Sequence, residues 1–460
     1  MTDKRNKLQK KSIYPVDAQY IYAWHARPGA LERLIPPWQE AQVLERSGGL
    51  GRGGKTTIRM RIASIAFTVK AEHLQAIPGK MFEDRQTEGP FSLWQHRHLF
   101  QNEENGASME DLVQYRLPVH EFLPSFVHGA VKKELTRTFT YRHEILRHDL
   151  ARHQRYSWPP LRILISGASG TLGRELVPFL ESGGHRVFRL VRRGVEGDKE
   201  IYWNPALGEI DSNAIPEIDA IIHLAGEQIG LSRWSRGKKE RVLRSRKNGT
   251  RLLCAAMAKL PRPPQVFLSA SATGYYGDSP EQNLSEEQEA GSDFISQVCK
   301  VWEKEAAQAE ITGIRTAMLR MGVTLSHRGG ALKRLLQIGK IALPRSFGNG
   351  RQYTSWIDIN DMLAAILHCL VCPEIRGPIN IVSPQPVRNE ELLATIAQIK
   401  KRPLLPRVPA SFLTFLYGEM AREIALANCH VSSKKLVESG FCFQYPELKK
   451  SLKIQLGRYR

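Results

Sequence analysis

Through much of the first third of the chain, apolar and polar residues alternate at the period of a half-buried strand. Such runs cover Lys55–Ile62, Ala66–Ala71, Met81–Arg85, Leu93–Phe100 and Ser108–Leu117, with Gly48-Gly49, Gly53-Gly54 and Asn105-Gly106 as turn signals between several of them. A β-like opening is expected over Ser12–Tyr22, then Pro28-Gly29 and a short helical piece, Leu31–Leu34. After Leu117 the spacing lengthens. Phe126, Val131, Leu135, Phe139, Ile145 and Leu150 recur a helical turn or more apart in a charged segment, which predicts one long helix packed on an antiparallel sheet. Trp158-Pro159-Pro160 then ends the helix and forms a stiff linker.

The pattern changes beyond the linker. Strand-like runs at Arg162–Ser166, Arg186–Arg192, Ala220–Leu224, Gln265–Ser269, Arg315–Leu319 and Pro378–Val382 are separated by helical runs that include Lys238–Lys259 and Ser292–Ala309. Alternation of this kind predicts a parallel, doubly wound sheet. The expected division is residues 1–157 and 158–460, with a small cap over about 322–460 in the second part.

Composition changes this picture little. At 460 residues two domains are the default, and 42% hydrophobic with 24% charged residues is ordinary for a globular protein. The net charge of +20 is less ordinary. Its lysines and arginines are scattered along helix-like segments, and the densest run, Lys4–Lys11, sits at a terminus, so no nucleic-acid partner is expected. No secretory signal or membrane-spanning run is visible, and the six cysteines read as reduced thiols, Cys369 and Cys372 included, so a cytoplasmic protein is expected.

Candidate chemistry begins at Arg162-Ile-Leu-Ile-Ser-Gly-Ala-Ser-Gly-Thr-Leu-Gly-Arg174. An apolar strand ends at Gly167, Gly170 and Gly173, and a helix follows at once. The first glycine permits the turn, the second lets backbone approach a pyrophosphate, and the third lets helix and strand pack closely. Ser169, Thr171 and Leu172 complete the cradle, and Leu224, Ala225, Gly226 and Asn248 are expected beside the nucleosides. The second strand ends in Arg192 and Arg193, where a site selective for the unphosphorylated coenzyme places an acid. Basic residues there predict NADP(H).

The ordered set Leu224-Ala-Gly-Glu227, Ser245-Arg246, Asn248-Gly-Thr250, Ser269-Ala-Ser-Ala-Thr-Gly-Tyr-Tyr-Gly277, Arg328-Gly-Gly-Ala331, Ser355-Trp-Ile357 and Gly418-Glu-Met420 resembles the atypical extended short-chain dehydrogenase/reductases, the "epimerase family" with an NAD-dependent epimerase/dehydratase-like fold. The resemblance spans about residues 162–456. The element order of residues 12–155 resembles the START-like, polyketide-cyclase-like (SRPBCC) helix-grip domains, which hold an apolar ligand between sheet and helix. Together they imply an α+β helix-grip domain followed by an α/β Rossmann domain with a C-terminal substrate cap.

The epimerase-family resemblance implies an NADP(H)-dependent oxidoreductase or epimerase acting on a small alcohol, a carbonyl compound or a nucleotide-sugar-like substrate. Ser271 matches the serine that orients the reacting oxygen. The family's Y-x-x-x-K is missing: Lys300 has Ser296, not Tyr, four residues before it. Tyr275 or Tyr276 is the nearest replacement phenol, and Arg351 and Trp356 are expected in the substrate pocket. A non-catalytic NADP(H)-binding protein, with an apolar ligand in its first domain, is the alternative. Trp94, His96, His98 and Phe100 share one strand face and either line that cavity or form a core; no third metal ligand is visible beside the histidines, and no metal is expected.

Overall fold

The computed structural model describes residues 6–62, 65–119, 123–156, 159–230, 232–280 and 283–459. Trp158 of the expected linker lies outside them. Two compact units are present: Met1–Ser157 with Pro178–Gly184 and Leu456–Arg460, and Trp158–Val177 with His185–Gln455. The division is therefore not a single cut in the chain.

In the first unit β1 (Asn6–Tyr14) is followed by α1 (Ala18–Ala26), α2 (Ala30–Leu34), strands β2 (Glu40–Ser47), β3 (Lys55–Ile62), β4 (Ile65–Ile77), β5 (Met81–Glu88), β6 (Leu93–Glu103) and β7 (Gly106–Arg116), and the long helix α3 (Ser125–Arg155). The seven strands form one sheet in the order β1-β7-β6-β5-β4-β3-β2, each pair antiparallel. The strand expected over Ser12–Tyr22 is thus corrected to a strand ending at Tyr14 and a separate helix. Asp17 accepts the Tyr20 amide at 2.6 Å and starts that helix, overriding the β-propensity of Tyr20, Ile21 and Tyr22. The unpredicted β2 is an exposed edge strand without a clean apolar face.

The inner face of the sheet packs against α1 and α3. Ile21, Trp24, Phe82, Phe100, Met109, Leu146 and Leu150 make one buried cluster, so the His96–Phe100 face belongs to a packed core. Arg33 on α2 binds Asp149 on α3 through two bonds of 2.7 and 2.8 Å, both residues fully enclosed. That pairing holds the Asp149 carboxyl well below its usual range, against the upward push of burial. A depressed folded-state value contributes stability above about pH 4 that is lost as pH falls through the folded value. Asp149→Asn is therefore expected to cost about 3–5 kcal/mol at neutral pH and to flatten the acid limb of a urea-denaturation series, because the buried Arg33 guanidinium loses its carboxylate counter-charge. An unchanged acid limb contradicts this assignment.

In the second unit β8 (Arg162–Ser166) leads into α4 (Gly173–Ser182), β9 (Arg186–Val191), β10 (Glu200–Asn204), β11 (Glu209–Ile210), β12 (Ala220–His223), α5 (Arg236–Met257), β13 (Val266–Ala272), α6 (Phe294–Ala306) and β14 (Arg315–Met321). The sheet runs β11-β10-β9-β8-β12-β13-β14, then the strand Gly377–Ile381. All neighbours are parallel except the terminal pair β10–β11. The strand order reverses at β8, which makes the carboxyl ends of β8 and β12 the switch-point crevice of a Rossmann fold. Short strand pairs and helices from Val323 onward complete the unit, with a separate core around Leu325, Trp356, Leu393 and Leu452. Among the described residues no helix is long and apolar enough to cross a membrane.

Candidate nucleotide and reaction site

Ile163, Leu164 and Ile165 are fully buried, and the chain turns out of the sheet at Gly167 with φ +74°. A Cβ there would lie 2.8 Å from the Ala225 amide nitrogen, so the turn passes backbone to backbone against the end of β12. A Cβ on Gly173 would lie 2.3 Å from the Gly167 carbonyl oxygen. Between them Ser169, Gly170 and Thr171 are exposed at the N-terminus of α4. Among the described residues no backbone carbonyl takes the amide hydrogens of Ser169, Thr171 or Leu172. Unspent N–H groups at a helix N-terminus, with no side chain over them, make an anion cradle.

The floor of the crevice is fixed by buried polar links. Ser166 Oγ lies 2.6 Å from His223 Nδ1, and His223 Nε2 lies 3.1 Å from Thr250 Oγ1. Burial and the nearby Arg246 push the His223 imidazole down to about 3, so it is neutral at pH 7. The Arg246 guanidinium, itself buried, stacks on Trp302 at 4.7 Å and donates to the Glu227 carbonyl at 3.0 Å, just below Gly226. Arg246, Gly249 and Thr250 share the buried face of α5. Asn248 is two residues from Arg246 on the helix, about 200° round, and is exposed, which corrects its expected place beside the nucleoside.

Arg192 and Arg193 follow the end of β9 and are exposed, and the positive charge of Arg192 acts on Glu227 across the crevice. Glu227 is already engaged by Lys238 Nζ at 2.7 Å. The mouth is thus basic on balance. Thr171 is closely covered by the Arg328-Gly329 turn: a Cβ on Gly329 would lie 2.3 Å from Thr171 Cγ2, and Arg328 Nε is 3.2 Å from Glu175.

Where β13 ends, the structure departs from the expected serine–phenol arrangement. Ser271 is buried and donates its proton to Glu303 Oε1 at 2.6 Å. Arg320 clamps the same carboxylate through bonds of 2.9 Å from Nε and Nη2, and donates from Nη1 to the Tyr276 hydroxyl at 3.0 Å. Tyr276 in turn donates to Asn380 Oδ1 at 2.7 Å; burial pushes its phenol up to about 12. Tyr276 is therefore a link in a closed network, not a poised acid. Tyr275 is only half-buried, with its ring 3.5 Å from the Arg320 guanidinium carbon.

Lys300 is exposed on α6 and not part of this network. The helix face that meets Ser271 instead carries Cys299 and, one turn later, Glu303. Burial, with Glu303 nearby, pushes the Cys299 thiol up to about 12, so it is neither nucleophile nor acid near pH 7. Glu303, Arg320 and Asn380 were missed by the sequence reading. The signal was a helix position four residues after Cys299, facing the strand that bears Ser271. Trp356, expected in the substrate pocket, is fully buried, and its indole N–H donates to the Gln385 carbonyl at 2.8 Å, so it is a core residue. Arg351 is exposed on the loop that Arg388 braces through the Arg351 carbonyl at 3.1 Å. Asp361 accepts the Gln444 and Tyr445 amides at 2.9 and 2.8 Å.

A parallel sheet with a switch-point crevice, a glycine turn and an open helix N-terminus defines a dinucleotide-binding Rossmann unit. Comparison with known proteins agrees. Residues 163–381 match the NAD dependent epimerase/dehydratase family, residues 14–144 match polyketide cyclase / dehydrase and lipid transport, and residues 408–454 match a domain of unknown function. An epimerase family protein of Mycobacterium leprae is 34% identical over 296 residues, which are 64% of this chain and 96% of the relative. The human epimerase family protein SDR39U1 is 30% identical over 64% of this chain and 99% of its own length. The chain belongs to the epimerase family, with a helix-grip domain ahead of the shared part.

Among solved structures, a nucleoside-diphosphate sugar epimerase from Corynebacterium glutamicum superposes with a TM-score of 0.81 at 29% identity, over 98% of this chain and 90% of that one. Human SDR39U1 with NADPH gives 0.59 at 28% identity, over 64% of this chain and 99% of that one.

Proposed function

We propose that the second unit binds NADP(H) and carries out reversible hydride transfer at a carbon bearing a hydroxyl or carbonyl oxygen, as an oxidoreductase or as the redox half of an epimerisation. The observation that carries this reading is the open cradle at Gly167–Gly173. The amides of Ser169, Thr171 and Leu172 fit a pyrophosphate, and Arg192 and Arg193 fit a 2′-phosphate. The backbone of Leu224, Ala225 and Gly226 would pass beside the riboses. The NADPH found with human SDR39U1 supports the same choice. Bound there, the coenzyme supplies or accepts a hydride at C4 of its nicotinamide.

The chain's own residues handle the oxygen and its proton. Ser271 spends its one donor hydrogen on the bond to Glu303, so toward a substrate hydroxyl its oxygen can only accept. Tyr276 is engaged on both sides. Tyr275 is then the phenol left to move a proton, beside the cationic Arg320. Arg351, exposed on the cap, suits an anionic end of the substrate, such as the diphosphate of a nucleotide sugar. Tyr275→Phe should lower turnover about 10²–10⁴-fold with NADPH affinity unchanged, measured by NADPH consumption with a panel of carbonyl compounds and nucleotide sugars. Unchanged turnover removes Tyr275 from the chemistry.

A second reading rests on the same network. With the serine proton committed and no Tyr–Lys pair, the unit could hold NADP(H) as a redox-state ligand only. Coenzyme binding without turnover of any substrate in that panel favours it.

A further inference from the structure

The buried inner face of β5, β6 and β7 carries more ionisable chemistry than a hydrophobic core needs. Pairing between strands sets Asp84 opposite His96 and His98 opposite Asp111, all within the sheet face that α3 covers. His96 and His98 lie on one strand, two residues apart, and so point to the same side. One ligand atom each from Asp84, His96 and His98 falls within 4.8 Å of the others. Asp111 Oδ1 adjoins both imidazoles, 2.7 Å from His98 Nδ1 and 3.3 Å from His96 Nε2.

Those three atoms are close but badly aligned. His96 Nε2, His98 Nδ1 and Asp111 Oδ1 are all enclosed, and none has a hydrogen-bond partner of acceptable geometry. Leaving such groups unsatisfied costs about 1–3 kcal/mol each, so a cation that re-aims the two imidazoles would relieve the cluster. Charge points the same way. Asp84 and Asp111 are two carboxylates, and Arg142 is the guanidinium that faces both. The other groups around them, His25, His73 and His143, are imidazoles. Asp111 is also braced from behind: His143 Nε2 lies 3.0 Å from Oδ2, and His143 Nδ1 lies 2.8 Å from Ser12 Oγ. A carboxylate held in place against an imidazole is the usual outer support of a histidine metal ligand.

We propose that Asp84, His96 and His98 bind a divalent first-row transition-metal ion of the zinc type inside the helix-grip domain, with Asp111 set against both imidazoles. Imidazole and carboxylate donors suit such an ion. At bond lengths of about 2.0–2.2 Å, tetrahedral ligand atoms stand about 3.3–3.5 Å apart, within the range of spacings seen here. Three protein ligands in a largely enclosed site give the ion a structural role, tying β5 to β6 beneath α3. This proposal departs from the expectation of no metal, and its third ligand, Asp84, comes from the strand beside His96 and His98.

The test uses the full-length chain, stripped with a chelator, supplied with Zn²⁺ or Co²⁺ and desalted. About one ion per chain should remain, and metal removal should lower the melting temperature. Cobalt should give visible ligand-field bands without a thiolate charge-transfer band, which separates this site from the cysteines. His98→Asn should lose the ion. If that variant does not fold, Asp84→Asn, at the more exposed edge of the cluster, should retain at least about tenfold less metal. A stripped wild-type chain that takes up no ion, or a folded variant that keeps as much as wild type, overturns the proposal.

Discussion

Arg320→Met is expected to destabilise the second unit by about 3–5 kcal/mol, a large part of the stability of an ordinary domain. Arg320 is almost fully buried and supplies two of the hydrogen bonds to Glu303, one to Tyr276 and one, of 3.2 Å, to the Glu286 carbonyl. Removing the guanidinium leaves the Glu303 carboxylate enclosed with only the Ser271 hydroxyl as donor. Removing both partners is a different matter, since a buried ion pair replaced by apolar groups of similar volume is often neutral. The double variant Arg320→Met/Glu303→Leu should therefore recover most of the loss. Urea denaturation of the three chains checks this, and a loss below about 1 kcal/mol for the single variant would show that the network is solvated.

The second large effect concerns coenzyme choice. Arg192→Glu should weaken NADPH binding by at least about 10- to 150-fold, the value of one charge-assisted hydrogen bond to phosphate, and leave NADH binding within a few-fold. The substitution places a carboxylate where the 2′-phosphate would sit and adds to the charge of Glu227 nearby. Arg192 is exposed, and surface substitutions usually shift stability by less than about 0.5 kcal/mol, so the titration reads binding and not folding. Fluorescence titration of both coenzymes on wild type and variant reads the two affinities. Equal loss for NADPH and NADH would place Arg192 away from the 2′-phosphate.

The strands of the Rossmann sheet were legible because buried parallel strands are short, continuous apolar runs. Ile163–Ile165 and Ala220–Ile222 are fully enclosed and stand out against polar flanks. The edge strands β2 and β11, and β10 beside the latter, were not, since strands at a sheet margin need no apolar face on both sides. The cradle was readable too, because its three glycines fall at even spacing in one short segment, where Gly170 and Gly173 both approach the Gly167 carbonyl. The interior networks were not. Ser271, Glu303, Arg320 and Asn380 come from four separate elements, and Asp84, His96, His98 and Asp111 from three strands. Their chemistry exists only once strand register is set, and register is not visible in any one segment.

The central claim is that the Gly167–Gly173 turn holds the pyrophosphate of a 2′-phosphorylated nicotinamide nucleotide. Calorimetric titration of the intact chain with NADPH and with NADH tests it most directly. The structure predicts saturable binding of NADPH, tighter than NADH by about tenfold or more. Equal affinities would contradict the role of Arg192 and Arg193, and absence of binding by either coenzyme at millimolar concentration would contradict the cradle itself.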